Sequence, residues 1–139
     1  MTYPATTPAK ALPDVTEPRT APFWEAAHDH VLKAQKCNNC GAVRYPALEI
    51  CPSCWSDDQE WAEIEPTGEV YSYVVYHRAL DPSTKDEIPY AIGRVVTDEG
   101  VIFSVRLDIP HGDISVGQRV TASWNDVTDE VSLLQFTAV

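Results

Sequence analysis

The sequence predicts a mainly β protein: a short helix near the N-terminus, a compact cysteine-held segment, then a small closed barrel of five strands. Three observations carry this. The pairs Cys37/Cys40 and Cys51/Cys54 fall within eighteen consecutive residues. Five short stretches beyond residue 65 are rich in β-branched and aromatic residues and are separated by turn residues. Ahead of the cysteines, Phe23, Ala27 and Val31 recur at four-residue spacing, with Trp24 beside them.

Residues 1–22 read as a tail. Pro4, Pro8, Pro13, Pro18 and Pro22 alternate with Thr and Ala, and little apolar surface is available to offset the entropy of ordering. A helix is expected over residues 23–35, with Thr20 placed to cap it and Pro22 in its first turn. The cysteine segment follows over residues 36–64. Strands are expected at residues 70–77 (VYSYVVYH), 90–97, 101–107, 119–124 and 131–138. Asp98-Glu99-Gly100 and Val116-Gly117 supply turns. Closure into a barrel removes exposed strand edges, so a five-stranded barrel of OB type over residues 65–139 is the first expectation and an open sandwich the second.

The formal net charge of −11, from 21 acidic and 10 basic residues, argues against nonspecific nucleic-acid binding, which depends on Lys and Arg neutralising phosphates. No stretch approaches the roughly 18 apolar residues of a membrane helix. The first fourteen residues hold no apolar run of signal-peptide type, so a cytoplasmic protein is expected. A reducing compartment disfavours disulfides and leaves the thiols free for metal.

Each Cys-x-x-Cys puts two sulfurs on one tight knuckle, and two knuckles place four thiolates around one ion. Four sulfurs suit zinc, or less often iron. Gly41 lets the backbone turn after the first pair, and Pro52 shapes the second. The knuckles bracket Val43, Arg44, Tyr45, Pro46 and Leu48, which read as a small β-hairpin, the layout of a zinc ribbon. Cys37, Cys40, Cys51 and Cys54 are thus expected to hold one structural zinc per chain. Four protein ligands leave no position for water or substrate. There is no Gly-x-Ser-x-Gly, no glycine-rich phosphate loop and no cysteine left over, so no catalytic residue is assigned.

The motif order resembles a family of zinc-ribbon/OB-fold acyl-CoA-associated proteins known as a domain of unknown function. The matching pieces are Phe23-Trp24, Cys37-x-x-Cys40-Gly41, Tyr45-Pro46, Cys51-Pro52-x-Cys54, Gly68-Glu69-Val70-Tyr71-Ser72-Tyr73, His77, Pro89-Tyr90 and Val116-Gly117. The resemblance implies a helical segment, a rubredoxin-like zinc ribbon and a C-terminal OB fold. It also implies a small subunit, not an enzyme on its own, working beside a thiolase-superfamily partner that supplies the catalytic residues. That partner would be a lipid-transfer-type aldolase of steroid or related side-chain degradation first, a thiolase or acyltransferase second. The alternative is a stand-alone module binding acyl-CoA or single-stranded nucleic acid.

Several residues are candidate contacts to a ligand or partner. His77 is expected at the end of a strand on one face with Tyr71, Tyr73 and Val75. Tyr71, Tyr73, Tyr76 and Tyr90 form an aromatic group able to pack a core or stack a base. Arg78, Arg94 and Arg106 lie on neighbouring expected strands, where they can hold a phosphate or remain solvated. Phe23 and Trp24 either pack on the ribbon or anchor a partner.

Overall fold

The computed structural model describes residues 11–139, so the first ten residues of the expected tail lie outside it. One helix, α1 (Ala21–His28), precedes eight strands. A three-stranded antiparallel sheet of order β2-β1-β3 is made by β1 (Lys33–Cys37), β2 (Val43–Arg44) and β3 (Gln59–Glu63). A closed barrel of order β4-β5-β6-β8-β7 is made by β4 (Thr67–Tyr76), β5 (Tyr90–Thr97), β6 (Ile102–Leu107), β7 (Arg119–Asp126) and β8 (Ser132–Ala138). All five expected barrel strands are present, and the barrel rather than the sandwich is the outcome.

The helix is shorter than residues 23–35. Thr20 occupies the N-cap and Pro22 lies in the first turn, but the Thr20 hydroxyl donates to Glu17 instead of capping. At the other end, His30 N–H bonds the Ala27 carbonyl and Val31 N–H the Ala26 carbonyl, with His30 at φ 58°. This is a Schellman stop with His where glycine is usual. The missing glycine, and Val31 in register with Phe23 and Ala27, disguised the stop. Beyond it, Lys33–Cys37 is the central strand of the ribbon sheet, facing Val43 and Arg44 on one side and residues 59–63 on the other. The expected hairpin between the knuckles is therefore corrected. Val43 and Arg44 pair backward with β1, and β3 was hidden by its charged sequence, QEWAE.

β4 crosses the barrel and pairs with both β5 and β7 at Gly68. A Cβ there would meet the Val96 carbonyl oxygen at 2.4 Å, so the close crossing requires glycine. The register shifts between Val70 and Ser72. This bulge changes which residues face inward: Val70 is buried before it, Tyr73 and Val75 pack on the core after it, and Tyr71 is left 64% exposed. The expected single face for Tyr71, Tyr73 and Val75 is thus broken by one extra residue.

Ribbon and barrel share one core. Phe23 is 3% exposed and meets Trp24, Tyr45 and Trp61 at ring-centroid distances of 4.9, 5.1 and 6.5 Å. Tyr45 in turn meets Phe103 of β6 at 4.7 Å, and Phe103 meets Phe136 of β8 at 6.2 Å. β6 and β8 pair in parallel only at Leu107 and Phe136. Helix α1 packs on β8, and Tyr45 reaches β6, so helix and ribbon cover the side where the barrel ladder is thinnest. His30 adds a polar tie: its Nε2 lies 2.8 Å from Asp126 Oδ1 on β7, and its ring stacks on Trp124 at 5.9 Å.

Candidate metal centre and outer barrel face

The two knuckles are built alike. Gly41 N–H bonds the Cys37 carbonyl at 2.9 Å, and Trp55 N–H bonds the Cys51 carbonyl at 2.8 Å. Cys37 N–H bonds the Ala42 carbonyl and Cys51 N–H the Ser56 carbonyl, both at 2.9 Å. The residue after each second cysteine is left-handed: Gly41 at φ 78° and Trp55 at φ 68°. The sequence marks the first of these turns with glycine. It hides the second behind a tryptophan that stands 83% exposed.

This geometry brings all four sulfurs within 4.8 Å of one another. Cys37 and Cys54 Sγ are 3.5 Å apart, Cys40 and Cys51 Sγ 3.6 Å. A tetrahedral ion with zinc–sulfur bonds of about 2.3 Å needs sulfur–sulfur edges of about 3.8 Å, whereas a disulfide needs about 2.05 Å. The spacing fits one ion and no disulfide. Nearby hydrogen-bond donors draw two of the four thiols down. The Asn39 side chain, then the Ser56 N–H, draws the Cys54 thiol down to about 6. N–H groups of Ser53 and Cys54 lower Cys51. At Cys40 the Ala42 N–H pulls the same way but is outweighed by desolvation and by the hydrogen bonds shared with Cys51, Cys54 and Cys37, which push it up to about 11. Four thiolates in so small a volume need a compensating cation, and a bound dication deprotonates coordinating thiols. The four cysteines are positioned to bind one metal ion, and Cys37 and Cys51 are buried.

The remaining candidates divide between core and surface. Phe23 is a core residue, and of the pair only Trp24 reaches the surface, where it lines a groove. Tyr73 turns inward. Tyr90 and Arg94 lie on the outer face of β5, where exposed or half-buried residues alternate with buried Ala91, Gly93 and Val95. Tyr90 stacks on Tyr76 at 5.2 Å and 20°, with the Arg106 guanidinium 3.9 Å from its ring. Arg106 also pairs with Glu87 at 3.5 Å. Arg94 is exposed between Ser72 of β4 and Ser104 of β6. His77 and Arg78 are exposed just past β4, and the His77 ring meets His111 edge-on at 6.0 Å. The outer face thus joins a stacked tyrosine pair to two arginines.

A four-cysteine ribbon packed through one aromatic core onto a five-stranded OB barrel defines a two-module zinc-ribbon/OB protein. The family model for the ChsH2 rubredoxin-like zinc ribbon domain matches residues 24–60, and that for the ChsH2 C-terminal OB-fold domain matches residues 61–125. The chain belongs to the DUF35 family, in its ChsH2-type form. It is 31% identical over 103 residues to a DUF35 domain-containing scaffold protein of Methanocaldococcus jannaschii, covering 73% of this chain and 72% of the relative. It is 38% identical over 98 residues to the benzoylsuccinyl-CoA thiolase subunit BbsA of Thauera aromatica, covering 70% and 66%. With a probable enoyl-CoA hydratase alpha subunit of Thermomonospora curvata it shares 35% identity over 116 residues, 82% of this chain but only 36% of that protein. Among solved structures, a chain of the Ltp2-ChsH2(DUF35) aldolase superposes with a TM-score of 0.80 at 31% identity, over 91% of this chain and 98% of that one.

No helix among the described residues is long and apolar enough to cross a membrane.

Proposed function

We propose that this chain is a non-catalytic accessory subunit of a thiolase-superfamily enzyme acting on acyl-CoA thioesters. An aldolase of steroid or related side-chain degradation is the first choice of partner and a thiolase the second. The observation that carries this reading is the similarity over 98% of one chain of the Ltp2-ChsH2(DUF35) aldolase. The kinship with a thiolase subunit and a scaffold protein supports the same role. The metal-clipped ribbon and the barrel act as one rigid body because they share the Phe23–Tyr45–Phe103 core. The chain presents its surfaces to the partner, which supplies the reacting groups.

The outer face of β4, β5 and β6 supports direct contact with the thioester's carrier. Tyr90 is sandwiched between Tyr76 and the Arg106 guanidinium, so Tyr76, at the end of that stack, offers the ring face for an adenine, and Arg94 and Arg78 offer charge to its phosphates, with His77 beside them at the end of β4. Tyr73 packs beneath this face and holds its shape.

Co-expression with a thiolase-superfamily protein from the same organism, followed by size-exclusion chromatography, tests the proposal. A stable, zinc-containing heteromer in which the partner's turnover depends on this chain is expected. Failure to co-elute with any such protein, combined with acyl-CoA binding by the isolated chain, would favour the stand-alone binding module that the same face also fits. Salt-sensitive binding of oligonucleotides would favour the nucleic-acid form of that alternative.

A further inference from the structure

Between α1, the segment before it and the β7–β8 turn lies a groove of about 340 Å³ lined by Val15, Trp24, Glu25, His28, Asp129 and Glu130. Grooves of roughly this size and above hold ligand groups. Its floor is apolar: Trp24 is half-buried, braced edge-on against Phe23 at 88° with centroids 4.9 Å apart, and Val15 stands beside it. Its rim is acidic and exposed, from Glu25 on the helix and Asp129 and Glu130 on the turn. His28 is already committed, its Nε2 3.0 Å from the Asp129 carbonyl oxygen and its Nδ1 3.7 Å from Asp29 Oδ1. Among the described residues no Lys or Arg lines the groove, and no ion pair engages the side chains of Glu25, Asp129 or Glu130. A second groove of about 530 Å³ shares Val15, Asp129 and Glu130 and continues the apolar floor through Leu12 and Val131.

An aromatic floor inside a carboxylate rim is complementary to one kind of side chain. Arginine has an apolar stem, a planar cation that stacks on indole, and a more weakly hydrated charge than lysine. The adjoining groove takes an apolar neighbour in the same segment, which distinguishes a peptide from a small free cation. We propose that this groove receives an arginine-bearing segment of a partner protein, with the stem over Trp24 and Val15 and the guanidinium among Glu25, Asp129 and Glu130. Only the identity of that partner rests on the accessory-subunit reading.

The test needs no partner. The zinc-loaded full chain is titrated with acetyl-Leu-Arg-Leu-amide and followed by amide and indole proton–nitrogen correlation spectra. The control probe carries citrulline, which has nearly the shape of arginine without its charge. Saturable shifts centred on the Trp24 indole N–H, Glu25 and Glu130 are expected, with the citrulline probe about ten-fold weaker or worse. The doubly substituted E25K/E130K protein, whose changes lie on exposed positions and should leave the remaining spectrum intact, loses at least about ten-fold in affinity. Absence of saturable shifts at the groove up to about 10 mM probe, equal binding of the citrulline probe, or unchanged binding by E25K/E130K overturns the proposal. Nuclear Overhauser contacts from residues 1–10 to the Trp24 indole would assign the groove to the chain's own N-terminal segment and overturn it as well. A heteromer with a thiolase-superfamily protein that forms normally after the probe has failed would leave the subunit reading standing and this groove excluded from it.

Discussion

Replacing Tyr45 with alanine tests whether ribbon and barrel form one body. Among the described residues the Tyr45 ring is the only aromatic that touches both Phe23, at 5.1 Å, and Phe103, at 4.7 Å, so its loss cuts the chain of rings between the modules. Truncating a large core aromatic costs about 3–5 kcal/mol. Tyr45 is half-buried, which places it at the lower end, about 3 kcal/mol. Each aromatic pair carries about 0.5–1.5 kcal/mol beyond area burial, so a double-mutant cycle of Tyr45→Ala with Phe103→Leu should yield a coupling of about 1 kcal/mol. Burial raises the Tyr45 hydroxyl above its ordinary pKa. Tyr45→Phe keeps the ring and removes that desolvated group, so it should stay within about 0.5 kcal/mol of the parent. The assay is urea unfolding of the zinc-loaded protein by tryptophan fluorescence, to which Trp24, Trp55 and Trp61 contribute at the ribbon and Trp124 in the barrel, and by far-ultraviolet circular dichroism. In the parent the two signals should coincide, and in Tyr45→Ala both midpoints should fall. A loss below about 1 kcal/mol, or an unchanged barrel transition beside a weakened ribbon transition, would refute the shared core.

Other consequences follow from single contacts. Cys51→Ser should drop bound zinc well below one equivalent and unfold the ribbon sheet, because metal binding in such small modules is folding free energy; metal analysis with circular dichroism reads both. Gly68→Ala should cost about 1–3 kcal/mol, since its Cβ would meet backbone at 2.4 Å, whereas Gly112→Ala, with nothing within 4 Å, should be neutral in thermal unfolding. The Arg119 guanidinium and then the Thr67 hydroxyl hold Asp98 down to about 2. A carboxyl depressed in the folded state stabilises above its unfolded pKa, near 3.9, and loses that contribution as pH falls through the folded value. Urea midpoints should therefore decline from about pH 4 toward pH 2, and Asp98→Asn should flatten part of that decline; an identical slope in the variant would contradict the assignment. Tyr76→Ala should weaken any acyl-CoA binding at least about five-fold in titration calorimetry, the lower bound for losing one stacked base.

The metal site was legible because its chemistry is local. Four cysteines in two tight knuckles declare their geometry through spacing alone. The barrel strands were legible through β-branched and aromatic runs, and their faces were legible except where the bulge at Tyr71 reversed them. A bulge has no composition of its own; it is set by how β4 must bend to pair with both β5 and β7. The ribbon sheet was the least legible part. Lys33–Cys37 (KAQKC) holds no β-branched or aromatic residue, and Val31 continues the helical stripe past a stop made by His30 instead of glycine. Trp55 likewise makes a left-handed turn at a residue that gives no sign of one. The role of Tyr45 depends on contacts between Phe23, Tyr45 and Phe103, which are remote in sequence, and no local pattern encodes it.

The most direct test of the central claim is native mass spectrometry of this chain co-purified with a thiolase-superfamily partner, paired with turnover by each component alone and together. The account predicts a heteromer with one zinc per copy of this chain, no turnover by this chain alone, and partner activity that falls when it is withheld. Turnover by the isolated chain, or a partner fully active without it, would contradict the account.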